Sequence, residues 1–143
     1  MTNKKSGTKF ENDVCKRLNE GGFWCRLMYP APDGSQPFDV MAINKRGYLY
    51  CIECKDCKND VFELNRIENN QEISLSNLTN AYMLDNRVVF AFNTSKGIYI
   101  VVAREILHLY FMSGFHGCKK SLNLKDIQKI GVPLEQFIRE NGG

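Results

Sequence analysis

Apolar side chains recur along this chain at two spacings, and the changes of spacing mark its elements. Over residues 8–20, Phe10, Val14, Cys15 and Leu18 fall on one side of a helix, and Gly21-Gly22 stops it. The stretch FWCRLMY, residues 23–29, reads as a strand. Residues 30–37, with three prolines, a glycine and the Asp33-Gly34 pair, read as a loop. Strands follow at roughly 38–44 and 48–55, and a polar connection leads to a helix at about 67–83. A second hairpin, near 87–93 and 97–103, runs into a helical stretch at 104–112. One or two short helices occupy 123–140, with Pro133 suited to a first helical turn. This order predicts an α/β domain whose central mixed sheet, of about five strands, is flanked by helices.

Length and composition narrow the class. A chain of 143 residues can build one core and is short for two, and no repeat, low-complexity tract or linker divides it. We therefore expect residues 1–143 to form a single domain. With 43% hydrophobic and 24% charged residues the composition is globular. There is no bilayer-length apolar run, and the polar opening MTNKKSGTKFEND is no secretory signal, so a soluble intracellular protein is expected. The net charge of +3 permits a polyanionic partner without requiring one. Six cysteines stand at 15, 25, 51, 54, 57 and 118. Cys51, Cys54 and Cys57 have a metal-ligand spacing, which His116 and Cys118 could complete only through folding. On a strand, however, Cys51 and Cys54 face opposite sides, which favours buried reduced thiols.

The first hairpin carries the candidate chemistry. Lys45-Arg46-Gly47 fits a three-residue loop with glycine in the left-handed position. Asn44 then pairs with Tyr48, and counting back sets Asp39 opposite Glu53, with Lys55 on the same face. Asp33 falls back in the Pro-rich loop, opposite nothing. Two carboxylates so close repel each other unless a cation sits between them, and a hard divalent ion such as Mg²⁺ satisfies that need. A lysine beside it can orient water or stabilise charge on phosphate. Asp-x13-Glu-x-Lys is also what a solvated acid pair neutralised by Lys55 looks like.

Two helical positions bear on that choice. Ile67, Gln71, Leu75, Leu78 and Tyr82 lie on one helical face, so Gln71 interrupts an inward stripe and needs polar partners there. Backbone groups or a substrate could provide them. Glu11 lies at the edge of the first helix's buried face, but Thr8 and Glu11 also fit a capping box.

Taken together, GTKFENDVCKRLNEGGFWCR, PFDVMAI, YLYCIECK and the helix bearing Gln71 resemble the PD-(D/E)XK nucleases. More narrowly they resemble the small Holliday-junction resolvases of archaeal, phage and RecU type. The resemblance covers roughly residues 6–103, the nuclease core, leaving 104–143 as a C-terminal helical segment; GVPLEQFIRE is similar to RecU-type C-termini. It implies a restriction-endonuclease-like core and an Mg²⁺-dependent DNA endonuclease, with Mn²⁺ possible. It implies Asp39, Glu53 and the Cys54 carbonyl as metal ligands, Glu11 assisting, Lys55 positioning the water, and Gln71 supporting Lys55 or the scissile phosphate. It further implies a homodimer acting on branched DNA in the cytoplasm of a bacterial, archaeal or phage-infected cell. The literal Pro-Asp pair is Pro32-Asp33, whereas Asp39 follows Phe38. Lys4, Lys5, Lys9, Arg26, Lys45, Arg46 and Lys58 are the candidate phosphate contacts. Other readings are a restriction-like or flap-cutting nuclease, a non-catalytic junction-binding module and a zinc-stabilised domain.

Overall fold

The structure is a computed structural model that describes residues 2–34 and 36–143, with side chains described from Lys9 onward apart from Ser35. Helix α1 spans Thr2–Glu20. It begins six residues before the apolar pattern announces it, because the polar opening carries no apolar repeat to signal a helix. Thr8 therefore lies inside the helix rather than at the N-cap position expected for it.

Strands β1 (Trp24–Leu27), β2 (Val40–Ile43) and β3 (Leu49–Asp56) follow as an antiparallel meander. After the two-residue β4 (Phe62–Glu63) comes helix α2 (Asn69–Asn80). Strand β5 (Val88–Thr94) lies parallel to β3, and β6 (Gly97–Val102) returns antiparallel to β5. The chain ends with α3 (Ala103–Met112), β7 (Ser121–Leu122), α4 (Leu124–Ile130), β8 (Val132–Pro133) and α5 (Leu134–Asn141).

Among the described residues the central sheet has six strands in the order β1-β2-β3-β5-β6-β8, and β4 pairs with β7 apart from it. The sixth strand is the one the sequence hid: it has two residues, and Pro133 makes it look like a helix start. Pro133 is tolerated there because β8 is an edge strand. Gly131, just before it, is needed for close approach, since a Cβ would sit 2.8 Å from Val101 Cγ2. Helix α2 is shorter than expected. Ile67 precedes it, and Tyr82, placed on its inward stripe by periodicity, lies past its end and is 71% exposed.

The sheet separates two cores. Phe10, Val14 and Leu18 of α1 and Phe137 of α5 pack on Val40, Ile52, Ala91 and Ile100. Leu75, Ile106 and Ile127 cover the other face with Phe62, Phe90 and Phe92. Each of these phenylalanines is fully buried, worth about 1.5–3 kcal/mol apiece. Alternation along β3 sends Tyr50 and Ile52 to the first core and Cys51 to the second, so Glu53 and Lys55 rise from the second face. Cys54 packs against the first core, opposite Cys51, as strand alternation predicts. All six cysteines are free thiols.

Candidate active site

The hairpin between β2 and β3 fixes everything that follows. Gly47, at φ +85°, turns the chain, its N–H donating to Asn44 O at 3.0 Å, and Asn44 N–H donates to Tyr48 O at 3.1 Å. The Asn44 side chain, itself buried, accepts from the N–H groups of Arg46 and Tyr48. Pairing then runs Ile43–Leu49 to Val40–Ile52, the register read from the sequence.

Asp39 stands one residue beyond the last pair. Its N–H donates to Ile52 O at 3.0 Å although Ile52 already faces Val40, so the strand bulges there. The bulge re-aims the Asp39 side chain from the simple position opposite Glu53. Its Oδ2 accepts from the Cys54 backbone N–H at 2.7 Å and its Oδ1 from Gln36 Nε2 at 2.7 Å. Each oxygen keeps a second lone pair for another partner. Gln36 escaped the sequence reading. A single amide in a Pro-rich loop has no periodicity, and its only signal is its place three residues before the acid.

Glu53 is 2% exposed, yet its Oε2 has no hydrogen-bond partner among the described residues. The nearest cation is Lys55, with Nζ 3.9 Å away. Burial, followed by the Asp39 carboxylate beside it, pushes the Glu53 carboxyl well above the ordinary range, against the opposing pull of Lys55. Glu11, on α1, is near enough to feel the Asp39 charge. Burial and then the charge of Asp39 push its carboxyl up to about 7. The Cys54 thiol is pushed up first by burial and then by Asp39, Glu11 and Glu53 together. Three carboxylates from separate parts of the chain thus lie close enough for their charges to act on one another.

Lys55 is held from the other side. Its Nζ donates to Gln71 Oε1 at 3.3 Å, and the same oxygen accepts the Glu68 N–H at 3.2 Å. Gln71 is the third residue of a capping box at the start of α2, with Glu68 as N-cap. The sequence offered Gln71 either backbone or site partners; its amide oxygen takes one of each.

The donor set fits a hard divalent cation. A buried carboxylate oxygen without a partner, beside two further acids and a single lysine, is stabilised by added positive charge. Among the described residues no three His, Cys, Asp or Glu side chains are gathered tightly enough to enclose an ion. Mg²⁺ commonly binds through one or two carboxylates while keeping several waters.

The basic residues do not form one group. Arg26 is exposed on β1, in register with Met41 two residues from Asp39, and its guanidinium lies 4.6 Å from the Trp24 ring centre. Lys58 is exposed just after β3, and Lys9 is exposed on α1 two residues before Glu11. Lys45 and Arg46 occupy the hairpin turn, at the opposite end of β3 from Glu53 and Lys55. The Lys4 and Lys5 side chains lie outside the described residues.

No protein-family model matches the sequence, and no curated protein sequence matches it. A solved structure does match. It is that of Hjc, a Holliday junction resolvase from the archaeal hyperthermophile Archaeoglobus fulgidus, with a TM-score of 0.63 over 92% of this chain and 99% of Hjc. The chain has the fold of that resolvase. Sequence identity is 18%, so the likeness is one of architecture: a restriction-endonuclease-like α/β core with a mixed central sheet. Among the described residues no helix is long and apolar enough to cross a membrane.

Proposed function

We propose that this protein is a Holliday-junction resolvase, an Mg²⁺-dependent endonuclease that hydrolyses phosphodiester bonds at four-way DNA junctions. The observation that carries this reading is the buried Glu53, its Oε2 unpartnered, set among Asp39, Glu11 and Lys55. A carboxylate placed that way serves no packing purpose and is costly without a cation. In this reading Asp39, Glu53 and the Cys54 carbonyl hold the metal and Glu11 assists. When bound, Mg²⁺, or Mn²⁺ in its place, would stabilise negative charge developing on the phosphate.

The chain's own residues do the positioning. Gln36 and the Cys54 N–H hold the Asp39 carboxylate in one orientation. Gln71 anchors Lys55, whose ammonium orients the attacking water and balances charge on the phosphoryl oxygens. Water attacks phosphorus and the 3′ oxygen leaves. Arg26, Lys9 and Lys58, nearest the site, contact flanking phosphates; Lys4, Lys5, Lys45 and Arg46 complete the proposed DNA contacts. We further propose that residues 1–143 act as one nuclease domain and that two copies cut as a homodimer in the cytoplasm. Phe111, Met112 and Phe115, exposed at 65%, 36% and 53%, supply apolar surface that such a dimer needs.

The test is cleavage of a synthetic four-way junction, with linear duplex and flap controls, in Mg²⁺ or EDTA, by wild type and Asp39→Asn. Symmetric, metal-dependent junction nicking that falls at least about a hundredfold in Asp39→Asn is expected. Cutting of linear duplex or flap in preference would replace the junction with another DNA substrate. Junction binding without cleavage would leave a binding module and end the catalytic reading.

A further inference from the structure

Tyr48, at the hairpin tip, is 47% exposed and carries two cations on one ring. The Arg46 guanidinium lies 5.6 Å from its centre and that of Arg87 lies 4.9 Å away. Arg46 comes from the hairpin turn, and Arg87 closes the 3-10 turn Asp85–Arg87 before β5. Two separate stretches of chain therefore deliver positive charge to one spot.

Such a gathering needs explaining, because like charges repel. A tyrosine face offsets a guanidinium by only about 0.5–1 kcal/mol at an exposed site. An acid would be the ordinary remedy, and among the described residues neither arginine forms an ion pair with one. Asp85, two residues from Arg87, is paired with Arg104, as is Asn86. Both guanidinium charges are felt at the neighbouring Tyr50 phenol, where they oppose the upward push of burial. Lys45 is exposed in the same turn.

We propose that Arg46 and Arg87, braced on Tyr48, form a second phosphate-binding site that grips the DNA backbone away from the bond that is cut. This rests on the nuclease reading for the identity of the polyanion. Arginine is suited to it, since its planar fork pairs with two phosphate oxygens and stacks on an aromatic ring. Tyr48 lies five residues from Glu53, about 17 Å at the rise of a strand. That is roughly five nucleotide steps of duplex at about 3.4 Å each. The site therefore holds an arm of the substrate, and it contributes to affinity rather than to the chemical step.

The experiment measures binding of a four-way junction to Asp39→Asn protein in EDTA across a series of salt concentrations, with and without Arg46→Gln and Arg87→Gln together. Cleavage by the otherwise wild-type Arg46→Gln/Arg87→Gln protein is measured beside it over a range of junction concentrations. Each lost phosphate contact removes about 0.9 from the slope of log K against log salt, so the double variant is expected to flatten it by about 1.8. Half-maximal cleavage by the double variant is expected to need more junction than the wild type does. Tyr48→Phe, which keeps the ring, leaves the slope as it was. An unchanged slope in the double variant overturns the site while leaving the nuclease reading standing. A flattened slope in a protein that cuts no DNA keeps the phosphate site and removes the nuclease. No salt-sensitive binding at all removes both.

Discussion

At the scale of single residues, the acids are out of balance with their surroundings, and that imbalance makes pH a probe. Glu11 and Glu53 both have carboxyls raised by burial and by neighbouring acids. The folded protein therefore holds protons that the unfolded chain has released. Their contribution to stability is full below the unfolded value near 4.5 and is lost as pH rises, through about 7 in the case of Glu11. Metal-free protein is expected to melt at progressively lower temperature from about pH 5 to pH 8, and Glu11→Gln to flatten that slope. Added Mg²⁺ should raise the melting temperature most at the upper end, where the carboxylates are ionised and free to bind it. A melting profile that rises with pH over this interval would rule out raised carboxyls at Glu11 and Glu53. The sequence displayed Asp39 and Glu53 through strand register, which turned on Gly47, and Glu11 only as an acid at the edge of a helical face. It did not display Gln36 or the bulge, because both depend on how a Pro-rich loop returns to the sheet.

At the scale of elements, α2 links stability to the site. Glu68 and Gln71 cap its N-terminus reciprocally, and Gln71 also holds Lys55. Glu68→Ala and Gln71→Ala should each cost about 1 kcal/mol in denaturant unfolding. Only Gln71→Ala should also lower the maximal cleavage rate, since only that change releases the lysine. Equal loss of rate in both variants would reduce Gln71 to a cap. The sequence placed Gln71 on an inward stripe but extended the helix at both ends, because Ile67 and Tyr82 keep the helical spacing outside the helix. The opposite error occurred in α1, whose polar first turns have no apolar period. Strand β1 shows a feature that spacing cannot show: Asn19 of α1 exchanges two hydrogen bonds with the Cys25 backbone, at 2.9 and 3.2 Å, closing part of an open sheet edge.

At the scale of the whole molecule, the two proposed sites lie at opposite ends of one hairpin of the sheet. Asp39, Glu53 and Lys55 lie at one end of the β2–β3 hairpin, and Arg46 and Tyr48 at the other. Arg87 is brought to the second end because β5 starts beside Cys51 of β3. The α/β class and the strands of both hairpins were legible from the chain, because each strand is an apolar run bounded by turn residues. Strand order was not, since β8 joins through two residues and its partner β6 lies some thirty residues earlier. The apolar stretch 106–115 was equally ambiguous. Ile106 is buried in the core, while Phe111 and Phe115 pack edge to face at the surface.

Under the proposed function, Glu53 is kept buried and poorly satisfied for the sake of a divalent cation and DNA hydrolysis. Glu53→Gln tests it most directly, because it separates folding from chemistry. This variant is expected to be more stable than the wild type without metal, by about 1–3 kcal/mol, since the amide stays neutral when buried without holding the proton that the wild-type carboxyl must take up. The same variant is expected no longer to nick a four-way junction in Mg²⁺. A variant that cuts the junction as the wild type does would remove Glu53 from the proposed metal site.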